Sequence, residues 1–245
     1  ADLQDATIAG VLVRDAATHA ESYRLGASVG HLDAGHGDDP TTAASAADGR
    51  HDGARLLVFA DARTAIDLSR GEFDLGAGAV FQGAAGENSG DEWQRALVSA
   101  DLHAGPRSWV SRGDITIGGV SPDAPPFERF LAGGVLPPLS EPGVLNQRIA
   151  EPVLPAGIGY GRTLLHYRVA TEIPGGPFVA YFDGLAVGGA LRGWHRVYGT
   201  EATFGVPALG FARLPAVRAI AGAGYSIDPP FKYRLRGYLA VRYAP

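Results

Sequence analysis

The sequence predicts an all-β fold, an antiparallel barrel of about ten to twelve strands formed by one domain over residues 1–245. Three observations predict it. Long segments alternate apolar and polar residues with a period of two, as a strand with two different faces requires. Glycine is used 35 times without a collagen period, which favours turns and close backbone approaches over a helical bundle. Apolar residues seldom recur at three-and-four spacing, so helix signals are poor throughout.

In chain order the strand segments are 7–13 ("TIAGVLV"), 21–32, 55–69, 72–83, 93–104, 107–120, 160–172, 177–191, 195–206, 216–227 and 231–243. The clearest is 55–69, "RLLVFADARTAIDLS". One face carries Leu56, Val58, Ala60, Ala62, Thr64, Ile66 and Leu68, and the other includes Arg55, Leu57, Phe59, Asp61 and Arg63. In 93–104, Ala96, Val98, Ala100 and Leu102 stand against Trp93, Arg95, Leu97, Ser99, Asp101 and His103. In 160–172, Thr163, Leu165, Tyr167 and Val169 oppose Arg162, Leu164, His166, Arg168 and Glu172. The last segment, "FKYRLRGYLAVRY", sets Leu235, Leu239 and Val241 against Arg234, Arg236 and Arg242.

Turn chemistry separates these runs, as in "GENSGDE" at 86–92 and "EIPGGP" at 172–177. Two connections are long: a polar, acidic loop at 33–53 and a Pro/Gly-rich one at 121–158. A net charge of −5 with no basic block gives no case for nucleic acid. Cysteine is absent, which removes disulfides and thiolate metal sites. No run approaches the ~20 apolar residues of a membrane helix. Methionine is also absent, so the expected N-terminus is a processed one, after a signal peptide or within a larger precursor.

Alternation alone does not decide which face meets water. Runs of about 11–15 residues match or exceed the ~9–11 that cross a bilayer at a tilt, whereas strands average nearer 5–6. Arg and Asp share mid-strand positions on the polar faces, and only one Lys occurs. The apolar faces hold small residues mid-strand with aromatics near the ends, as interfacial girdles require. The expected fold is therefore a transmembrane barrel with lipid outside and an ionic lumen. The expected lumen-lining residues are Asp61, Arg63, Arg95, Asp101, Arg112, Asp114, Arg162, Arg168, Asp183, Arg234, Arg236 and Arg242. Trp93, Trp109 and Trp194 stand near strand ends, where interface anchoring accounts for all three and packing in a soluble core would as well.

The segment "FERFLAGG" at 127–134 is similar to the Phe–Gly–Gly segment before the inward loop of the Omp85/surface-antigen D15 superfamily. The closing run from "GFARLPAVRAIAGAGYSI" to "YLAVRYAP" adds to the likeness, over about the last half of the chain. The resemblance implies a bacterial outer-membrane barrel with an inward segment carrying Phe127, Arg129, Gly133 and Gly134. Where the family's Arg-Gly-Phe/Tyr motif follows, this chain has "VLPPLSEPGVLNQRIAEP", and no POTRA-like module precedes the barrel. The resemblance thus implies the architecture rather than an assembly or secretion activity.

Chemical motifs are few. "GASVG" at 26–30 matches the G-x-S-x-G pattern with Ser28 as nucleophile, but the elbow needs strand, turn and helix, and here the strand runs on. His31, Asp33, His36, Asp38, Asp39, His51 and Asp52 cluster around the acidic loop without a metal-site spacing, so a solvated loop is expected. The expected function is a structural or transport/translocation component with no metal and no cofactor. Its partners are membrane lipid and other outer-membrane or periplasmic chains. A soluble barrel holding an apolar ligand and an outer-membrane hydrolase are the alternatives. Leu56, Val58, Leu235 and Leu239 packed at the centre would favour the soluble one.

Overall fold

The computed structural model describes residues 2–33, 53–88, 90–125, 128–133, 148–149, 153–154, 159–188, 194–205, 217–228 and 234–243. Fourteen strands occur among them. The first six are β1 (Asp2–Ala16), β2 (His19–Asp33), β3 (Gly53–Asp67), β4 (Phe73–Asn88), β5 (Asp91–Pro106) and β6 (Ser111–Val120). Three short ones follow, β7 (Phe130–Ala132), β8 (Arg148–Ile149) and β9 (Gly159–Gly161). The last five are β10 (Thr163–Glu172), β11 (Phe178–Gly188), β12 (Trp194–Gly205), β13 (Val217–Ser226) and β14 (Leu235–Tyr243).

Eleven of them form one antiparallel sheet in the order β1-β2-β3-β4-β5-β6-β10-β11-β12-β13-β14. Each of the eleven predicted runs overlaps one of these strands. The ends differ for local reasons. β1 and β2 pair along their whole length, from Asp2↔Asp33 to Ala16↔His19, so β1 extends well beyond the apolar run at 7–13. β6 begins only at Ser111, because the backbone folds at 106–109 with Trp109 N bonded to the Pro106 carbonyl. β7, β8 and β9 form a separate small sheet, with β7 central and packed against β11. Two of its strands, β7 and β8, lie inside the stretch 121–158 read from sequence as a long loop, and β9 follows directly after it.

The ladder registers put alternate residues on two unlike faces. On β3, Leu57, Phe59 and Asp61 are buried, while Leu56 and Val58 are 45% and 48% exposed. The partners across the sheet follow suit. Gln82 opposite Asp61, and Arg95 opposite Ala84, are buried on the same side. We call this side the covered face. The opposite, open face carries Leu25, Val29, Phe81, Val98, Leu102, Ile115, Ile117, Val169, Leu235 and Leu239, all exposed.

The segment after β6 covers the sheet. Ser121 N bonds the Gln94 carbonyl, and Ala124 N bonds the Ser121 carbonyl, which turns the chain onto the covered face. Phe130, Leu131 and Ala132 then follow, all buried. Phe130 and Ala132 join Val153, Leu154, Leu97, Leu164, Leu185 and Val197 in one apolar cluster. A second cluster holds Leu57, Phe59, Ala84, Trp93 and Ala124. Gly118 lies under the Phe130 ring, where any β-carbon would fall inside van der Waals contact. Gly133 ends the buried run with φ of 92°, a conformation that costs glycine little.

Candidate functional site: an ionic face beneath an inward segment

The register puts the polar residues expected from sequence on one side. Arg63↔Val80 and Asp61↔Gln82 on β3, Asp101↔Asp114 and His103↔Arg112 between β5 and β6, and Arg168↔Asp183 between β10 and β11 share the covered face. Arg234, Arg236 and Arg242 keep the same parity along the β14 segment, opposite Ser226, Gly224 and Arg218 on β13. Arg162 precedes β10 at the equivalent position. Phe127 and Gly134 of the inward segment lie outside the described residues. Arg129 is half-buried and donates from Nε to the Ala124 carbonyl at 3.2 Å.

Three ionic groups build the face. The first is centred on Glu128, which sequence reading passed over in favour of its neighbours. Arg55 donates to its Oε1 from Nε at 3.0 Å and Nη2 at 2.7 Å. Arg95 donates from Nη1 to Oε2 at 2.9 Å and to the Glu128 carbonyl at 2.9 Å. All three side chains are at most 5% exposed. The Arg95 guanidinium also lies 5.5 Å from the Trp93 ring centroid. A signal for this did exist: Glu128 stands between Phe127 and the apolar run Phe130–Ala132, and an acid carried into a core by such neighbours needs buried cations.

The second group is centred on Asp61. It accepts from Arg63 Nε at 3.0 Å and Nη2 at 3.2 Å, and from Gln82 Nε2 at 2.9 Å, with Arg24 3.6 Å away. The third crosses β6, β10, β11, β12 and β14. His166 lies 3.7 Å from Asp114 and 3.6 Å from Asp183. Arg168 reaches Asp183 at 3.3 Å and Glu201 at 2.7 Å, and Tyr238 donates to Glu201 at 2.7 Å. An open cavity of about 630 Å³ borders this group, lined in part by Arg112, Asp114, Arg168, Glu172 and Glu201.

This arrangement fixes charge by charge, and no base is paired with a nucleophile among these groups. Ser28 sits within continuous β2 pairing, opposite Thr7 and Leu57, so the strand–turn–helix elbow is not formed around it. Residues 34–52, with most of the His/Asp group, lie outside the described residues. Among the described residues no three His, Asp or Glu side chains gather as a metal site. One sequence expectation is corrected. Trp93 is buried on the covered face against Arg95, because its odd position on β5 shares the side of Arg95 and Leu97. Trp109 and Trp194 are 50% and 39% exposed.

Outside the strands, Asp228 grips β12. It accepts from Arg196 N at 2.7 Å, Nε at 3.1 Å and Nη2 at 2.8 Å. The Arg196 side-chain hydrogen bonds hold the Asp228 carboxyl below its ordinary value. A depressed carboxyl contributes stability above its unfolded pKa of ~3.9, lost as pH falls through the folded value. Asp228→Asn is therefore expected to cost about 1 kcal/mol or less at pH 7, for a pair whose arginine is half exposed to solvent. Urea unfolding of both proteins should show that difference shrinking below pH 4; a difference constant with pH would contradict it.

No family model matches the chain, and no curated protein matches it.

Proposed function

We propose that this chain is a β-barrel component of a bacterial outer membrane, with its open face in lipid. Its covered face then borders a wet interior partly filled by the inward segment, in a structural or transport/translocation role. One observation carries the reading: the polarity of the two faces is the reverse of a water-soluble sheet's. Leu25, Leu56, Val98, Leu102, Ile117 and Leu239 are exposed while Arg55, Arg95, Asp61, Asp183 and Glu128 are buried. In water such a surface would be a very large apolar patch; in hydrocarbon it is the stable arrangement.

Other features support it. Phe73, Trp109, Phe178 and Phe204 are exposed and stand at the same end of the sheet, beside the turns at 68–72, 107–110 and 173–177. Toward the other end, Tyr167 contacts Phe182 and Trp194, and Tyr198 contacts Tyr225. Trp194 and Phe204 both belong to β12, Trp194–Gly205. At ~3.3 Å per residue they are about 33 Å apart along the strand, or about 25 Å at a barrel tilt. That is the height of a lipid-facing band between aromatic girdles. The exposed apolar side chains weigh against a soluble barrel, whose Leu56 and Leu239 would point into its core.

Closure is part of the proposal. The eleven strands run antiparallel in turn, so β1 and β14 point the same way. Among the described residues the two share no ladder. A direct seam between them would be parallel, and an antiparallel seam takes an odd number of further strands. Unpaired backbone is not tolerated in hydrocarbon, so one of these must operate.

Fractionation tests the reading. The protein should sediment with outer membranes, resist alkaline or urea extraction, need detergent for release, and migrate faster on gels before boiling than after. Recovery in the aqueous fraction without detergent would sink it. Planar-bilayer recordings then separate an open pore from a filled barrel.

A further inference from the structure

The Glu128 group has a geometry that goes beyond holding a segment in place. Arg55 on β3 and Arg95 on β5 reach across β4 to the two oxygens of one carboxylate, with three N–H bonds at 2.7–3.0 Å. Both guanidinium groups are buried, at 5% and 1% exposure, so neither meets bulk water while Glu128 is in place. Two desolvated guanidinium groups converging on one planar oxyanion form a recognition geometry for carboxylate and phosphate generally. Glu128 fills it from a segment that does not belong to the large sheet.

We propose that Arg55 and Arg95 form an oxyanion-binding site for which the Glu128 carboxylate is the resident internal ligand. A carboxylate or phosphate group of a solute takes the same place when residues 128–132 leave the covered face. The site then links the position of that segment to anionic solutes. Trp93 reports its occupancy, because the Arg95 guanidinium packs on that ring. This inference stands on the covered face alone, whichever solvent meets the open one.

The test uses Glu128→Gln, which keeps the shape of the side chain and removes its charge, in a non-ionic detergent. Acetate and inorganic phosphate are titrated at constant ionic strength against chloride, reading the melting midpoint and fluorescence of Trp93 in a Trp109→Phe, Trp194→Phe background. The expected result is a saturable rise in melting midpoint and a fluorescence change with the same half-saturation. Wild type should need roughly 100-fold more anion, because its own carboxylate is tethered at high effective concentration. Adding Arg55→Lys should weaken the response about tenfold by removing the planar fork. Comparing acetate with phosphate assigns the class.

A Glu128→Gln response absent in both salts, equal to that of chloride, or equal to that of wild type would overturn the site. So would a response indifferent to Arg55→Lys. If Glu128→Gln does not refold in chloride, it is refolded in acetate and in phosphate. Recovery there supports the site, and failure in all three overturns it. None of these readouts requires insertion in a bilayer, so a negative result here is separate from a negative fractionation.

Discussion

Val98→Arg is expected to destabilise the protein in lipid by about 2–4 kcal/mol and to reduce insertion into vesicles correspondingly. Val98 is half exposed on the open face near the middle of β5, opposite Ile117 on β6. No acid stands beside Val98 on that side: Asp101 and Asp114 lie on the covered face, and Glu92, which shares the parity of Val98, is six residues away at the end of β5. In water the same change at a half-exposed position would cost no more than about 0.5 kcal/mol. The difference between these figures measures the solvent of the open face. Leu68→Arg supplies the depth control. Leu68 is equally exposed but stands in the turn after β3, level with the aromatic band, where a cation costs only ~0–1 kcal/mol. Urea titrations of both variants in vesicles decide the matter. Equal, small effects at the two sites would remove the lipid from the account.

The sheet was legible because each long strand has two faces of unlike chemistry. Leu56 and Val58 alternate with Leu57, Phe59 and Asp61, and a period of two leaves no freedom in which residues share a side. Eleven runs could be marked from that pattern alone. Strand ends were less legible, since they depend on pairing. β1 reaches Asp2 only because β2 continues beside it to Asp33, and nothing in "ADLQD" states that. Whether β1 and β14 meet was not legible at all, for a periodic pattern carries no count of strands.

The candidate site divides along the same line. Asp61, Arg95 and Asp183 were found because their strands are regular, so parity placed them. Glu128 was missed because it stands in a segment with no period, among Pro125, Pro126 and Phe127, where attention falls on aromatic and glycine landmarks. Trp93 shows the converse error. Its place at a strand end drew the interfacial reading, although its parity with Arg95 and Leu97 already put it on the ionic side. Aromatic residues near strand ends are girdle candidates only after parity has been applied, and Trp194 and Phe204 pass that test.

Phe130→Ala is expected to cost about 3–5 kcal/mol, the range for removing a buried aromatic ring whose surroundings cannot collapse. Phe130 is 1% exposed, and on the sheet side its neighbour is Gly118, which has no side chain to move into the space. Gly118→Ala is expected to cost about 1–3 kcal/mol for the opposite reason, since its new β-carbon would press into the ring. The two losses should not add. Without the ring the alanine at 118 has room and partly fills the void, so the double variant should be more stable than the sum of the single effects by about 1–3 kcal/mol. Removing the ring also takes a large side chain from between the sheet and the inward segment, so a reconstituted Phe130→Ala protein is expected to pass more current than wild type if the interior is wet. Denaturant unfolding of the four proteins measures the coupling. Additivity within about 0.5 kcal/mol would mean that the segment does not seat on β6 through this contact.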